Sequence, residues 1–127
     1  MKKKISFDFD GTLSEGNVTD YARELMLNPT VEVHIVTARM EGDYNDDLFD
    51  LATDIGIEEK NIHFTNFEYK GAKFFKENTD YLWHLDDNFF ELEWINTYTP
   101  IVAISVKSVY WKNHCDKLLG RTDAVFE

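Results

Sequence analysis

The sequence is poor in the features that would make it a secreted, membrane-bound or nucleic-acid-binding chain. It has one cysteine, Cys115, so no intrachain disulfide can form. A single thiol suits a reducing interior, and the expected location is cytoplasmic. No apolar run approaches the length that spans a bilayer, and the MKKK start lacks the apolar stretch of a signal peptide. Basic residues are scarce: 13 Lys and Arg face 24 Asp and Glu, for a formal net charge of −11. That field repels a nucleic-acid backbone, whose binding normally needs clustered Lys and Arg. The only basic cluster, Lys2 to Lys4, precedes the first predicted strand and reads as a solvated tail. It is expected at the opposite end of the sheet from Asp8 and Asp10. Repeats, low-complexity segments and linkers are also missing, so residues 1–127 are expected to form one domain.

What is present is a well-supplied core, with 43% hydrophobic and 15% aromatic residues. Strand-like runs alternate with helical periodicity. The runs are Ile5 to Gly11, Val31–Thr37, Ile62–Thr65, Tyr81–Leu85 and Ile101–Val106. Between them, helical spacing covers Val18 to Met26, Leu48 to Ile55, Tyr69–Asn78 and the FFELEWI segment. A terminal helix runs from Trp111 to Leu119, closed by Gly120. This order predicts an α/β fold: a single Rossmann-like, doubly wound domain with a mainly parallel five-stranded sheet and helices on both faces. In such a sheet the functional site forms beyond the carboxyl ends of the strands.

The chemistry concentrates at those ends. ISFDFDGTL, Ile5–Leu13, reads as a buried strand stopped at Gly11, with Asp8 and Asp10 on the same face. Two adjacent carboxylates repel unless a cation or a shared proton intervenes, and Mg²⁺ is the expected cation because it prefers hard oxygen ligands. Thr37 ends the second strand, Lys70 and Lys73 lie on the weaker helix, and Asp86-Asp87 ends the fourth strand. Together these groups suit phosphoryl transfer, which needs a nucleophile, an acid/base, charge neutralisation and positioning.

Taken in order, DFDGTL, IVTAR, YKGAKF and LWHLDD resemble the four motifs of the haloacid dehalogenase (HAD) superfamily of phosphohydrolases, over residues 5 to about 106. The resemblance implies a Mg²⁺-dependent phosphomonoesterase with Asp8 as nucleophile and metal ligand. Asp10 would be the general acid/base and would meet the metal through its backbone carbonyl. Asp86 would complete the metal shell, with Asp87 acting through water or orienting the lysine. Thr37, with the neighbouring backbone at Ala38, would hold the phosphoryl oxygens. Lys70, which precedes Gly71, is the preferred phosphate-binding lysine, with Lys73 the alternative. Arg39 is placed either to grip a substrate phosphate or to form a structural salt bridge. No segment has room for a cap domain, and capless members admit large substrates or borrow a lid from a partner subunit, which leaves an oligomer open. The expected substrate is therefore a phosphorylated small molecule, such as a nucleotide, or something larger. The mouth is expected to be shallow, with Arg39 and Tyr44 at its rim. The alternative is a non-catalytic or receiver-like module that binds phosphate and Mg²⁺, although the order of its acids differs from a receiver's. His34 and His84 read as core histidines, and His63, His114 and Cys115 offer no zinc spacing.

Overall fold

A computed structural model describes residues 2–121 of the chain. The β-branched run Val31–Thr37 forms β2, flanked by β1 (Lys3–Phe7) and β3 (Ile62–Phe64). On the other side of β1 lie β4 (Trp83–Asp86) and β5 (Val102–Ser105). The order across the sheet is β3-β2-β1-β4-β5, and every pairing is parallel. This is the expected Rossmann-like architecture. Among the described residues five α-helices complete it: α1 (Gly16–Met26), α2 (Asp46–Ile55), α3 (Lys70–Glu77), α4 (Phe89–Tyr98) and α5 (Trp111–Leu119). Each strand-to-strand connection holds one α-helix, so no cap-sized insertion is present among the described residues.

The pleat divides the core in two, because successive strand residues face opposite sides. Ile5, Phe7, Ile35, Trp83 and Leu85 pack with α1, α2 and α5. Val36, Tyr81 and Ile101 pack with Phe74 of α3 and Ile95 of α4. Helices therefore cover both faces. The first core is organised by aromatic edges. The rings of Phe7 and Trp83 meet at 5.4 Å, those of Tyr21 and Trp111 at 5.4 Å, and Tyr21 donates to Asp116 Oδ1 at 2.6 Å.

Two expectations are corrected. The first strand ends at Phe7, not Gly11, so Asp8 and Asp10 do not share a strand face. Asp8 N–H still bonds Leu85 O at 2.9 Å, but the chain then wraps into a wide turn in which Leu13 N–H returns to Asp8 O at 3.0 Å. Gly11 permits the wrap at φ 76°, a conformation that side chains resist. Second, Lys3 and Lys4 belong to β1, and Lys3 Nζ donates to Leu119 O at 3.1 Å at the end of α5. They lie at the amino edge of the sheet as expected, but they are tied down. The second strand keeps its expected bounds, and the ends of the last three shift by at most two residues, which places Asp86 inside β4.

A buried polar group sits under the sheet edge away from Asp8. His34 Nε2 meets Glu32 Oε2 at 2.6 Å, and His34 Nδ1 meets His63 Nε2 at 2.9 Å and the Tyr81 hydroxyl at 3.1 Å. Burial first, then His34, holds the His63 pKa below its ordinary 6.5. The unfolded chain takes that proton more readily, so this site costs stability as pH falls below about 6.5. Urea midpoints measured from pH 7.5 to 5.5 should fall more for the wild type than for His63→Gln, and parallel slopes would rule this origin out. Packing gives a second expectation. A Cβ at Gly71 would lie 2.9 Å from the Trp94 ring and 3.1 Å from the Ile95 backbone nitrogen. Gly71→Ala should therefore push α3 off α4 and lower stability by about 1–3 kcal/mol in urea denaturation; an unchanged midpoint would show that the two helices can separate freely.

Candidate active site

The sheet reverses its direction of winding between β1 and β4, and this is where an open α/β sheet leaves a crevice. Asp8 lies just past the end of β1, and Asp86 ends β4. Between them comes Lys70, the first residue of α3, buried along with both acids. Its Nζ donates to Asp8 Oδ1 at 2.7 Å and to Asp86 Oδ2 at 2.6 Å. Lys73, the alternative lysine, pairs instead with Glu77 at 2.7 Å one turn further along α3. Glu91 Oε1 accepts the Lys70 backbone N–H at 2.8 Å and fixes the start of α3 against α4.

The pair extends into a buried chain. Thr12 Oγ1 donates to Asp8 Oδ2 at 3.0 Å. His84 Nε2 meets Asp86 Oδ2 at 2.7 Å, and Ser6 Oγ meets His84 Nδ1 at 2.7 Å. Burial holds the His84 pKa down against the pull of Asp86; in the neutral form that burial favours, Nε2–H would donate to Asp86 and Nδ1 would accept from Ser6. Asn88 N–H supplies Asp86 Oδ1 with a further donor at 3.0 Å. None of Ser6, Thr12, His84 or Glu91 is singled out by motif reading. The available signals are a serine and a histidine facing each other in otherwise apolar strands, and one acid on the buried side of α4.

Two buried carboxylates share one ammonium, so one negative charge is left uncompensated. It falls on Asp8, whose pKa burial pushes up to about 8 against the pull of Lys70, with help from Asp86 and Asp87. Asp86, bonded to His84 and Lys70, is held below the usual carboxylate range despite its burial. Asp8, Asp86 and Asp87 each present an oxygen within 4.8 Å of the others. An all-carboxylate donor set with surplus negative charge fits a hard divalent cation such as Mg²⁺. Gly11 is packed so closely on the Asp87 carboxylate that a Cβ there would collide with it.

Asp10 is placed differently from the expected acid pair. Its carboxylate is held bidentately by Arg39, at 2.7 and 2.9 Å, and the same guanidinium grips Asp47 at 2.7 and 2.9 Å. Arg39 holds the Asp47 carboxyl down to about 2. Arg39 thus ties the turn after β1 to the first turn of α2, which is the salt-bridge role, and no arm of it faces solvent unpaired. Thr37 is buried at the end of β2, its Oγ1 accepting Arg39 N–H at 3.3 Å, and the Ala38 carbonyl accepts Phe67 N–H at 2.8 Å.

No family model matches this chain, and no curated protein matches it in sequence. Among solved structures it is similar to an uncharacterized protein from Corynebacterium glutamicum, with a TM-score of 0.73 at 14% identity. The superposition covers 94% of this chain and 96% of that one. At that identity the likeness establishes a shared α/β fold and leaves function to the site.

The charge balance around Lys70 yields a direct test. Removing the ammonium in Lys70→Met leaves Asp8 and Asp86 facing each other in a buried site, which should cost about 3–5 kcal/mol. Thermal melts should show a large loss that millimolar Mg²⁺ partly restores, by binding the exposed acids. A variant as stable as the wild type would mean that Lys70 carries no such burden.

Proposed function

We propose that this chain is a Mg²⁺-dependent phosphomonoesterase of the haloacid dehalogenase type, acting through an aspartyl-phosphate on Asp8. The observation that carries the reading is the meeting of Asp8, Lys70 and Asp86 at the sheet's switch point, with Asp87 beside them. Asp8 attacks phosphorus, the new acyl-phosphate bond replaces the ester P–O bond, and the departing alkoxide takes a proton from Asp10. Water then attacks the acyl-phosphate, giving its proton to Asp10 and freeing Asp8. Asp10 must leave Arg39 and take up a proton from water to do this, so the first step includes rotation of its side chain. Lys70 neutralises charge on the transferring group, and Thr37 with the Ala38 N–H holds phosphoryl oxygens. Asp8, Asp86 and Asp87, with the Asp10 backbone carbonyl, would hold a divalent cation, which would supply the positive charge needed to keep Asp8 ionised and to offset the charge of a phosphate. The lidless edge suits a nucleotide or a larger phosphorylated substrate, and the lone buried thiol suits a cytoplasmic setting. Among the described residues no helix is long and apolar enough to cross a membrane.

One observation favours a second reading. Asp10 is fully engaged by Arg39, as it would be in a module that binds phosphate and Mg²⁺ without turnover. A panel of phosphorylated metabolites, nucleotides and aryl phosphates, assayed with Mg²⁺ and with chelator, separates the two. Turnover should need Mg²⁺, and Asp8→Asn should abolish both turnover and phosphoenzyme. Asp10→Asn should slow turnover by about 10²–10⁴-fold while an activated ester still labels Asp8. Wild-type rates in Asp8→Asn would refute the nucleophile; binding of phosphate with no turnover on any ester would leave the module.

A further inference from the structure

Exposed aromatic side chains crowd the carboxyl edge of the sheet. Tyr44 follows β2, Phe67 and Tyr69 follow β3, Phe89 and Phe90 open α4, and Tyr110 precedes α5; all are at least half exposed. Phe67 is notable because it adopts φ 69° while 73% of it is solvent-exposed. That conformation is disfavoured in a residue with a side chain, and burial of the ring does not offset it.

Beside Lys70 the aromatics close into a groove of about 310 Å³, lined by Tyr69, Phe90, Glu93, Trp94, Thr97 and Tyr98. The Trp94 and Tyr98 rings lie 4.4 Å apart at 50°, and Phe90 and Phe89 lie 5.7 Å apart at 75°. Four aromatic rings and one carboxylate, with no basic side chain in the lining, form a site whose electrostatics select a cation. Neither a phosphate backbone nor a second copy of this acidic chain complements it, since the net charge is −11. The same edge continues through Glu41, Asp43 and Asp46, which are exposed and form no ion pair among the described residues. That acidic, aromatic margin is longer than a single small amine can use.

We propose that this groove receives an arginine or lysine side chain of a partner polypeptide, whose further cationic residues lie along the acidic, aromatic edge. The inference is independent of the proposed reaction, because Phe90, Glu93 and Tyr98 take no part in it.

Trp83 and Trp111 are buried and Trp94 is half-buried, so fluorescence quenching by an added ligand reports chiefly on the groove. The full chain is titrated with an alternating Arg-Gly dodecapeptide, its Glu-Gly counterpart, tetramethylammonium and a single-stranded oligonucleotide. The arginine peptide should bind saturably and lose affinity with added salt. Phe90→Ala and Glu93→Gln should each weaken it by about threefold or more, with unchanged thermal midpoints. Phe67→Gly, which relieves the left-handed strain, should weaken the peptide while holding or raising the midpoint. The proposal fails if no saturable binding appears by millimolar peptide, or if the glutamate peptide or the oligonucleotide binds as well. It also fails if the variants leave affinity unchanged, if tetramethylammonium matches the peptide, or if light scattering shows the groove closed by a second copy.

Discussion

The buried ammonium of Lys70 is the interaction on which the edge of this sheet depends. Its two short bonds join residues 62 and 16 positions away in sequence, at the ends of two strands that cross the sheet's switch point. A buried charge is costly unless it is paired and hydrogen-bonded, so the lysine has to arrive in one position. Three features deliver it. Glu91 fixes the backbone at the first residue of α3, Gly71 lets α3 lie directly on Trp94 and Ile95, and Phe74 packs beneath, its ring 5.7 Å from that of His84. The polar chain from Ser6 through His84 to Asp86 fills the other side, so the carboxylates cannot relax away from the lysine.

The acids that look paired in DFDGTL are separated by a change of backbone direction. Asp8 continues the sheet for one hydrogen bond and points to Lys70, whereas Asp10 falls in the turn and pairs with Arg39. Like charges two residues apart thus acquire different cations, which removes most of their mutual repulsion. The separation also sets their chemistry apart. Asp8 is buried with its pKa pushed up, while Asp10 is exposed and held bidentately by Arg39. One sequence motif therefore supplies two carboxylates in contrasting environments, and Gly11 makes the division possible by turning the chain through a left-handed conformation against Asp87.

Most of the architecture is legible in the chain because the signals are strong and local. Val31–Thr37 could hardly be anything but a buried strand, and the alternation of strands with helices dictates parallel pairing. The convergence of Asp8, Thr37, Lys70 and Asp86 on one edge follows from that topology alone. Strand ends were less legible, since hydrogen-bond ladders stop where a neighbour stops, as at Leu85 opposite Asp8, and not where apolar character fades. The pairing of Ser6 with His84 was hidden for another reason. A hydroxyl or imidazole in an apolar strand has no periodic signature, and its partner comes from a strand nearly eighty residues away. Arg39 could be placed but not assigned, because a guanidinium after a strand serves a ligand or a neighbouring acid equally well until Asp10 and Asp47 are seen to converge on it.

The charge inventory of the edge bears on what can approach it. Five carboxylates, Asp8, Asp10, Asp47, Asp86 and Asp87, meet only two cations, Lys70 and Arg39, and both cations are already shared between acids. A phosphate entering this field can meet Lys70 only if the lysine turns from one of its two carboxylates. The surplus has two physical outlets. A proton can settle on Asp8, as its raised pKa describes, which quenches its nucleophilicity; or a multivalent cation can sit among the oxygens of Asp8, Asp86 and Asp87. Only the second leaves Asp8 ionised and turns a repulsive mouth into an attractive one. In the groove a few residues away the same surplus would work without an intermediary, because the ligand proposed there is itself a cation. Under the two proposals a single acidic edge would distinguish its visitors by charge: anions would need a metal to enter at Lys70, and cations would be drawn to the aromatic walls beside it.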